Sequence, residues 1–177
     1  MTKMNFKCRN GSDRRLALAL VALGVLFRLL PHPGNFTPTA AIALFSGVAL
    51  EAPLAFAVPL LVMVASDVLI GPHSLFWLVW LSFVLVTWLG QSVRERDGVL
   101  PVALAALGGS VLFFVVTNLG VFLFERMYAR SAAGLVECFT MALPFFRNSL
   151  AGDLFYSLAL FSVFELCRRG ARAVRPS

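Results

Sequence analysis

The sequence predicts an all-α polytopic membrane protein, a bundle of six transmembrane helices with both termini in the cytoplasm, and three observations carry that prediction. Of the 177 residues, 59% are hydrophobic and only 14% are charged, where soluble proteins carry about a quarter. Several apolar runs approach or exceed the roughly 18 to 20 residues that take a helix across about 30 Å of hydrocarbon. Eleven of the 15 lysines and arginines behind the net charge of +6 gather in three places. These are the N-terminal tail (Lys3, Lys7, Arg9, Arg14, Arg15), the connection "QSVRERDG" with Arg94 and Arg96, and the C-terminal tail (Arg168, Arg169, Arg172, Arg175). The positive-inside rule puts all three in the cytoplasm, which requires an even number of crossings. The alternating strands of a membrane β-barrel do not occur.

The first helix is expected at about residues 15 to 30. A basic lead followed by an apolar run from Leu16 has the shape of a secretory signal, but no small-residue cleavage site follows, so the helix is read as retained. The second, at about 38 to 50, takes Thr37 as N-cap and Pro38 as first helical residue. It is short for a crossing, and the Glu51-Ala52-Pro53 break leaves it alternatively paired with the third helix, at about 53 to 70, as one bent unit. The fourth, at about 74 to 90, has Ser74 as a cap and begins with Trp77 and Trp80, which read as an interfacial aromatic belt. The fifth is expected at about 99 to 124, and the sixth at about 148 to 167, capped by Asn148 or Ser149. Between them, residues 125 to 147 are interrupted by Glu137 and Pro144, and read as an amphipathic helix on the outer interface or one dipping partly into the bundle. The whole is one transmembrane domain, residues 15 to 167, between cytoplasmic tails of residues 1 to 14 and 168 to 177.

Composition also excludes. The odd set Cys8, Cys138 and Cys167 has neither the pairing of a disulfide framework nor the spacing of metal ligands. The basic residues flank membrane spans without a recognition motif, so they point to topology and anionic lipid, not to nucleic acid. No cofactor or metal is expected, and no G-x-x-x-x-G-K-[ST] loop is present for ATP.

With the orientation fixed, the polar residues inside the helices fall into a pattern. Arg28 ends the first helix, Asp67 lies late in the third, Asn118 late in the fifth and Asp153 early in the sixth, so all four converge on the outer half of the membrane. An ionisable group there costs about 2.5 to 3.5 kcal/mol, and such groups tend to face a bundle interior or a wet cavity. Arg28 and Arg147 balance Asp67 and Asp153, and Asn148 and Tyr156 lie on the same helix as Asp153. Each also has a plainer use: Asp67 locking to Arg28, Asp153 to Arg147, and Asn118 joining helices. The connection "PHPGNFTP" at residues 31 to 38, restricted by three prolines, reads as a lid or rim. There Phe36 is placed to stack on a planar ligand, and His32 and Asn35 to hydrogen-bond it, with His73 in a neighbouring outer loop.

The stretches "RLLPHPGNFTPTAAIALFSG", "ASDVLIG", "VTNLGVF" and "LPFFRNSLAGDLFYS", in this order and spacing, resemble an uncharacterised bacterial family of small membrane proteins described as transport proteins. The likeness covers roughly residues 25 to 167. That family is in turn similar to the substrate-binding S-components of energy-coupling-factor vitamin transporters. The resemblance implies an S-component-like bundle in the bacterial inner membrane that captures a small micronutrient on its outer face. It further implies release through a coupling transmembrane subunit driven by ATPases. S-components commonly dock that subunit through A-x-x-x-A on the first helix; here "LALALVALG" supplies Ala17, Ala19, Ala22 and Gly24 without the strict spacing.

The expectation is therefore a noncatalytic solute-binding subunit, its site formed by Arg28, His32, Asn35, Phe36, Asp67, Asn118, Arg147, Asn148, Asp153 and Tyr156. Two other readings stay open. Asp67 and Asp153 could act as a carboxylate pair, or hold a metal with His32 and His73, in an intramembrane enzyme. Alternatively the outer loops serve a noncatalytic envelope scaffold.

Overall fold

A computed structural model describes residues 12–31, 33–71, 73–96 and 98–173. Lys3, Lys7, Cys8, Arg9, His32 and Arg175 lie outside the described residues. Those described form an all-α protein of six helices: α1 (Ser12–Leu29), α2 (Thr39–Ala49), α3 (Leu54–Ile70), α4 (Phe76–Val93), α5 (Val99–Phe124) and α6 (Ala132–Ala173). Three of them are long and apolar enough to cross a bilayer: Phe76–Val93, Val99–Phe124 and Ala132–Cys167. Large apolar side chains such as Trp88, Leu104, Leu158 and Val163 stand exposed along these helices, as lipid contact requires.

The helices alternate in direction. Gly24 and Arg28 of α1 meet Val62 and Ser66 of α3, so those two run parallel. α5 and α6 run antiparallel, Ser110 meeting Asp153 and Asn118 meeting Cys138. The connections around residues 30–38, 71–75 and 125–131 therefore share one end of the bundle, here the loop end. The turns at 50–53 and 94–98 share the other, here the tail end, where Arg94 grips Glu51 with two bonds of 2.9 and 3.0 Å.

α2 is the axle. It packs against all five other helices, while α1, α3, α4, α5 and α6 follow one another around it, each touching the next in that order up to α6. Edge-to-face contact of Phe27 and Tyr156, ring centres 5.6 Å apart, bridges α6 back to α1. Every residue of α2 except Ala40 is buried. A helix apolar on all sides belongs inside, and seven small residues (Thr39, Ala40, Ala41, Ala43, Ser46, Gly47, Ala49) let neighbouring backbones close in. The closest approach is to α4: a Cβ on Gly47 would lie 2.2 Å from the Thr87 carbonyl oxygen, and one on Gly90 would lie 2.4 Å from that of Leu44. Away from α4, the Ser46 hydroxyl lies within reach of two carbonyls, Ala43 of its own helix at 2.9 Å and Ala55 of α3 at 3.0 Å, where α2 and α3 form a hairpin. On another side, Phe45 packs edge-on against Phe161 and Phe164 of α6.

Several sequence expectations are corrected. α2 and α3 are separate antiparallel helices joined by the turn at 50–53, not one bent unit. Residues 132–147 are no separate interfacial helix but the first part of α6, a continuous 42 residues. Pro144 and Glu137 both face outward, so neither is driven into the packed side of the helix. The packed side carries Cys138 and Ala142, buried, with Phe139 and Phe146 both against Phe114 of α5. The true cap of α6 is Ser131, whose hydroxyl accepts from the Gly134 amide at 3.2 Å; Asn148 and Ser149 are mid-helix. Pro38, not Thr37, sits at the N-cap of α2, and the Thr37 hydroxyl instead meets that of Thr39 at 3.3 Å. Leu75 takes the N-cap position of α4, while Ser74 donates to Glu125 and ties two loops together.

Gly47→Ala should therefore cost about 3 kcal/mol or more, because the added methyl meets rigid backbone. Gly108→Ala, whose Cβ would find only the Leu89 side chain at an ordinary 3.5 Å, should be neutral or stabilising by up to about 1 kcal/mol. Thermal unfolding of the two purified variants checks the contrast; similar melting temperatures would refute the α2 and α4 contact.

Candidate functional site

At the loop end, above the N-terminus of α2, the helices enclose a cavity of about 530 Å³, within the size range of small-molecule sites. Every element contributes. Asp153 and Ser149 of α6 lie one turn apart, Phe113 and Thr117 stand on α5, Val79 and Phe83 on α4, and Ala40 belongs to α2. Arg28, Ile70 and His73 come from the ends of α1 and α3 and the loop after α3, with Asn35 and Thr37 from the connection before α2. A smaller space of about 140 Å³ shares Asn35, Phe113, Thr117 and Ser149 with it and reaches Asn118.

The floor is polar at one point. Asp153 is 7% exposed and takes a hydrogen bond of 2.7 Å from Ser110. No ion pair reaches Asp153 among the described residues. The pairing with Arg147 expected from sequence does not form: Arg147 is exposed, one and a half turns back along α6 and pointing away from the cavity lining. The second acidic group behaves differently. Arg28 Nη2 donates to Asp67 Oδ1 at 2.7 Å and its Nε to Ser66 Oγ at 2.6 Å, while Trp80 Nε1 donates to Asp67 Oδ2 at 2.9 Å. Each oxygen of Asp67 thus has a donor, a cation on one and an indole on the other, and the two bonds together clamp α1, α3 and α4. Trp80 is a member of this clamp. Trp77 remains half-exposed, packed edge-on against Phe124.

The rim is held by aromatic packing. Phe36 does not face the cavity: its ring packs against Phe155 and Tyr156 and rests on Gly152, anchoring the connection to α6. The Phe36 amide donates to the Pro33 carbonyl at 3.0 Å with Asn35 at φ 61°, the pattern of a turn with positive φ at its third residue, a conformation asparagine tolerates. Asn148 is exposed and donates to the Gly34 carbonyl at 3.2 Å, a second tie across the same junction. Tyr156 joins Phe27 and Phe36 in the seam between α1 and α6. Asn118 turns its amide back to the Phe114 carbonyl of its own helix.

Of the residues selected from sequence, Arg28, Asn35 and Asp153 line the main cavity and Asn118 lines its annex; Asp67 supports Arg28 from behind. Phe36, Asn148 and Tyr156 hold the rim, Arg147 is remote, and His32 lies outside the described residues. Sequence reasoning missed Phe83, Phe113, Thr117, Ser149 and Ser110. A phenylalanine or a hydroxyl inside an apolar run carries no signal by itself, although Phe113 with Thr117 and Ser149 with Asp153 have the i, i+4 spacing of one helix face.

Removing the carboxylate of the buried pair strands its cation. Asp67→Asn should lower stability by about 3 kcal/mol, and Trp80→Phe, which removes one bond to a charged acceptor, by about 1.5 kcal/mol. Thermal unfolding of both variants measures the ranking, and an unchanged melting temperature for Asp67→Asn would show that the clamp carries no load. No curated protein and no solved structure matches the chain. The profile of DUF6580, a family of unknown function, matches residues 10–174. The chain, matched over almost its whole length, is a member of that family.

Proposed function

We propose that this protein is a multi-pass protein of the bacterial inner membrane that captures a small solute, a micronutrient, from the outer face for uptake. The observation that carries the reading is the cavity of about 530 Å³ at the loop end, lined by Arg28, Asn35, Thr117, Ser149 and Asp153 between apolar walls. Pockets for small molecules have this make-up: mostly apolar, with a few placed polar groups. Charge supplies the direction. Arg14 and Arg15 begin α1, Arg94 and Arg96 lie in the turn after α4, and Arg168, Arg169 and Arg172 lie in the last turns of α6, together outnumbering Arg28, Arg126, Arg130 and Arg147 toward the loop end, so by the positive-inside rule the tail end is the cytoplasmic one and the cavity opens outward.

In this reading all six helices traverse the membrane region, with α2 shielded from lipid and so free of the length a lipid-facing crossing needs. The likeness to S-components supports the same direction of uptake, with a coupling transmembrane subunit and ATPases as partners. Ala17 and Gly24 of α1 are buried within the bundle, Gly24 against Val62, which leaves Ala19 and Ala22 exposed for such docking.

Thermal unfolding of the purified protein against vitamins, nucleobases, amino acids and divalent metals tests the function. A solute at about 100 times its dissociation constant adds roughly 2.7 kcal/mol and raises the melting temperature. A shift with metal alone would replace uptake by metal chemistry. Topology is tested separately, in a variant with Cys8 and Cys167 changed to serine. Gly34→Cys should react with an impermeant thiol reagent from the periplasmic side, and Arg96→Cys should not. Gly98 suits this less well, since its φ of 99° disfavours any side chain. The reverse labelling would invert the cavity.

A further inference from the structure

Within the cavity the charges do not balance. The guanidinium of Arg28 is matched by Asp67 at 2.7 Å, so this pair contributes no net charge to a ligand. Asp153 at the floor has only the Ser110 hydroxyl, and that hydroxyl is also within reach of the Ala106 carbonyl, 3.1 Å away. A hydroxyl has one hydrogen to give, so among the described residues the carboxylate has at best one donor. Ser157, one turn further along α6, is 6% exposed and its buried hydroxyl has no hydrogen-bond partner among the described residues, so it does not donate to Asp153 either. A buried carboxylate left this way is relieved either by a proton or by a cation that joins it. Two further lining residues favour the same sign. Phe83 and Phe113 place their rings 5.1 Å apart in the wall, and aromatic faces attract cations. The cavity is also far larger than a lone inorganic ion needs.

We propose that the cavity takes a small monovalent organic cation, an ammonium or a protonated or quaternary nitrogen base, with its charge on Asp153 and its apolar body beside Phe83 and Phe113. Thr117, Ser149 and Asn35 then meet the polar groups at its other end. This inference rests on the solute-binding reading above and adds the class of solute.

The test uses probes of matched shape and different charge on the full-length protein in lipid nanodiscs. One set is phenethylammonium, 2-phenylethanol and phenylacetate; the other is tryptamine, tryptophol and indole-3-acetate. The two amines should bind at least roughly tenfold more tightly than their neutral and anionic counterparts, a difference of about 1.4 kcal/mol. Asp153→Asn should abolish that ranking and, without ligand, melt no lower than the wild type, because the change removes an uncompensated charge and keeps the shape. The inference is overturned if an alcohol or carboxylate matches its amine, if the ranking survives in Asp153→Asn, if sodium alone gives the stabilisation, or if Asp153→Asn melts several degrees lower, which would make Asp153 a structural strut. Tight binding of a neutral or anionic solute would sink the cation inference and leave uptake standing, whereas silence across these probes and the wider solute panel would sink both.

Discussion

Inside a bilayer, burying one apolar helix against another gains little from the hydrophobic effect, because lipid tails are as apolar as leucine. Cohesion must come from close packing, and in this protein it is concentrated where the backbones of α2 and α4 touch through Gly47 and Gly90. That contact draws α2 into the centre, and the other five helices arrange themselves around it. The cavity follows from the same geometry. α2 has 11 residues, about 16 Å of helix, where α5 has 26, about 39 Å. The encircling helices thus extend past the N-terminus of the axle, and the cavity lies beyond that terminus, with Ala40 and Thr37 in its wall.

The two buried aspartates show how environment divides identical side chains between tasks. Asp67 meets a guanidinium and an indole N–H and has become part of the framework. Asp153, at nearly the same burial, has one hydroxyl and opens on the cavity. It is this setting of Asp153 that the proposed cation site uses. The arginine expected to neutralise it, Arg147, faces away, and the aromatic residue expected to cover the ligand, Phe36, clamps the rim instead.

Much of the framework was legible in the chain. Apolar runs located α1 to α5 to within a few residues, because a membrane helix announces itself by uninterrupted hydrocarbon, and the pairing of Arg28 with Asp67 was among the options their positions allowed. The start of α6 was not legible. Pro144 and Glu137 look like breaks in a one-dimensional reading, yet on a helix both turn to the outer surface while Cys138 and Ala142 turn inward. The hydroxyls and phenylalanines of the cavity were hidden for a related reason: they are common inside membrane helices, and only neighbours on other helices distinguish a wall from a lipid contact.

The sequence by itself determined an all-helical chain of membrane-protein composition, the extent of most helices, and a set of ionisable residues too costly to be incidental. These are local properties, set by hydropathy over a turn or two of helix and by the expense of charge in a low-dielectric medium. Only the tertiary structure decided which helix stands in the centre, which aspartate is neutralised and which is left facing the cavity. Each of those outcomes depends on distances between residues about 40 apart in the chain, Arg28 to Asp67 and Ser110 to Asp153, and such distances exist only once backbones have packed.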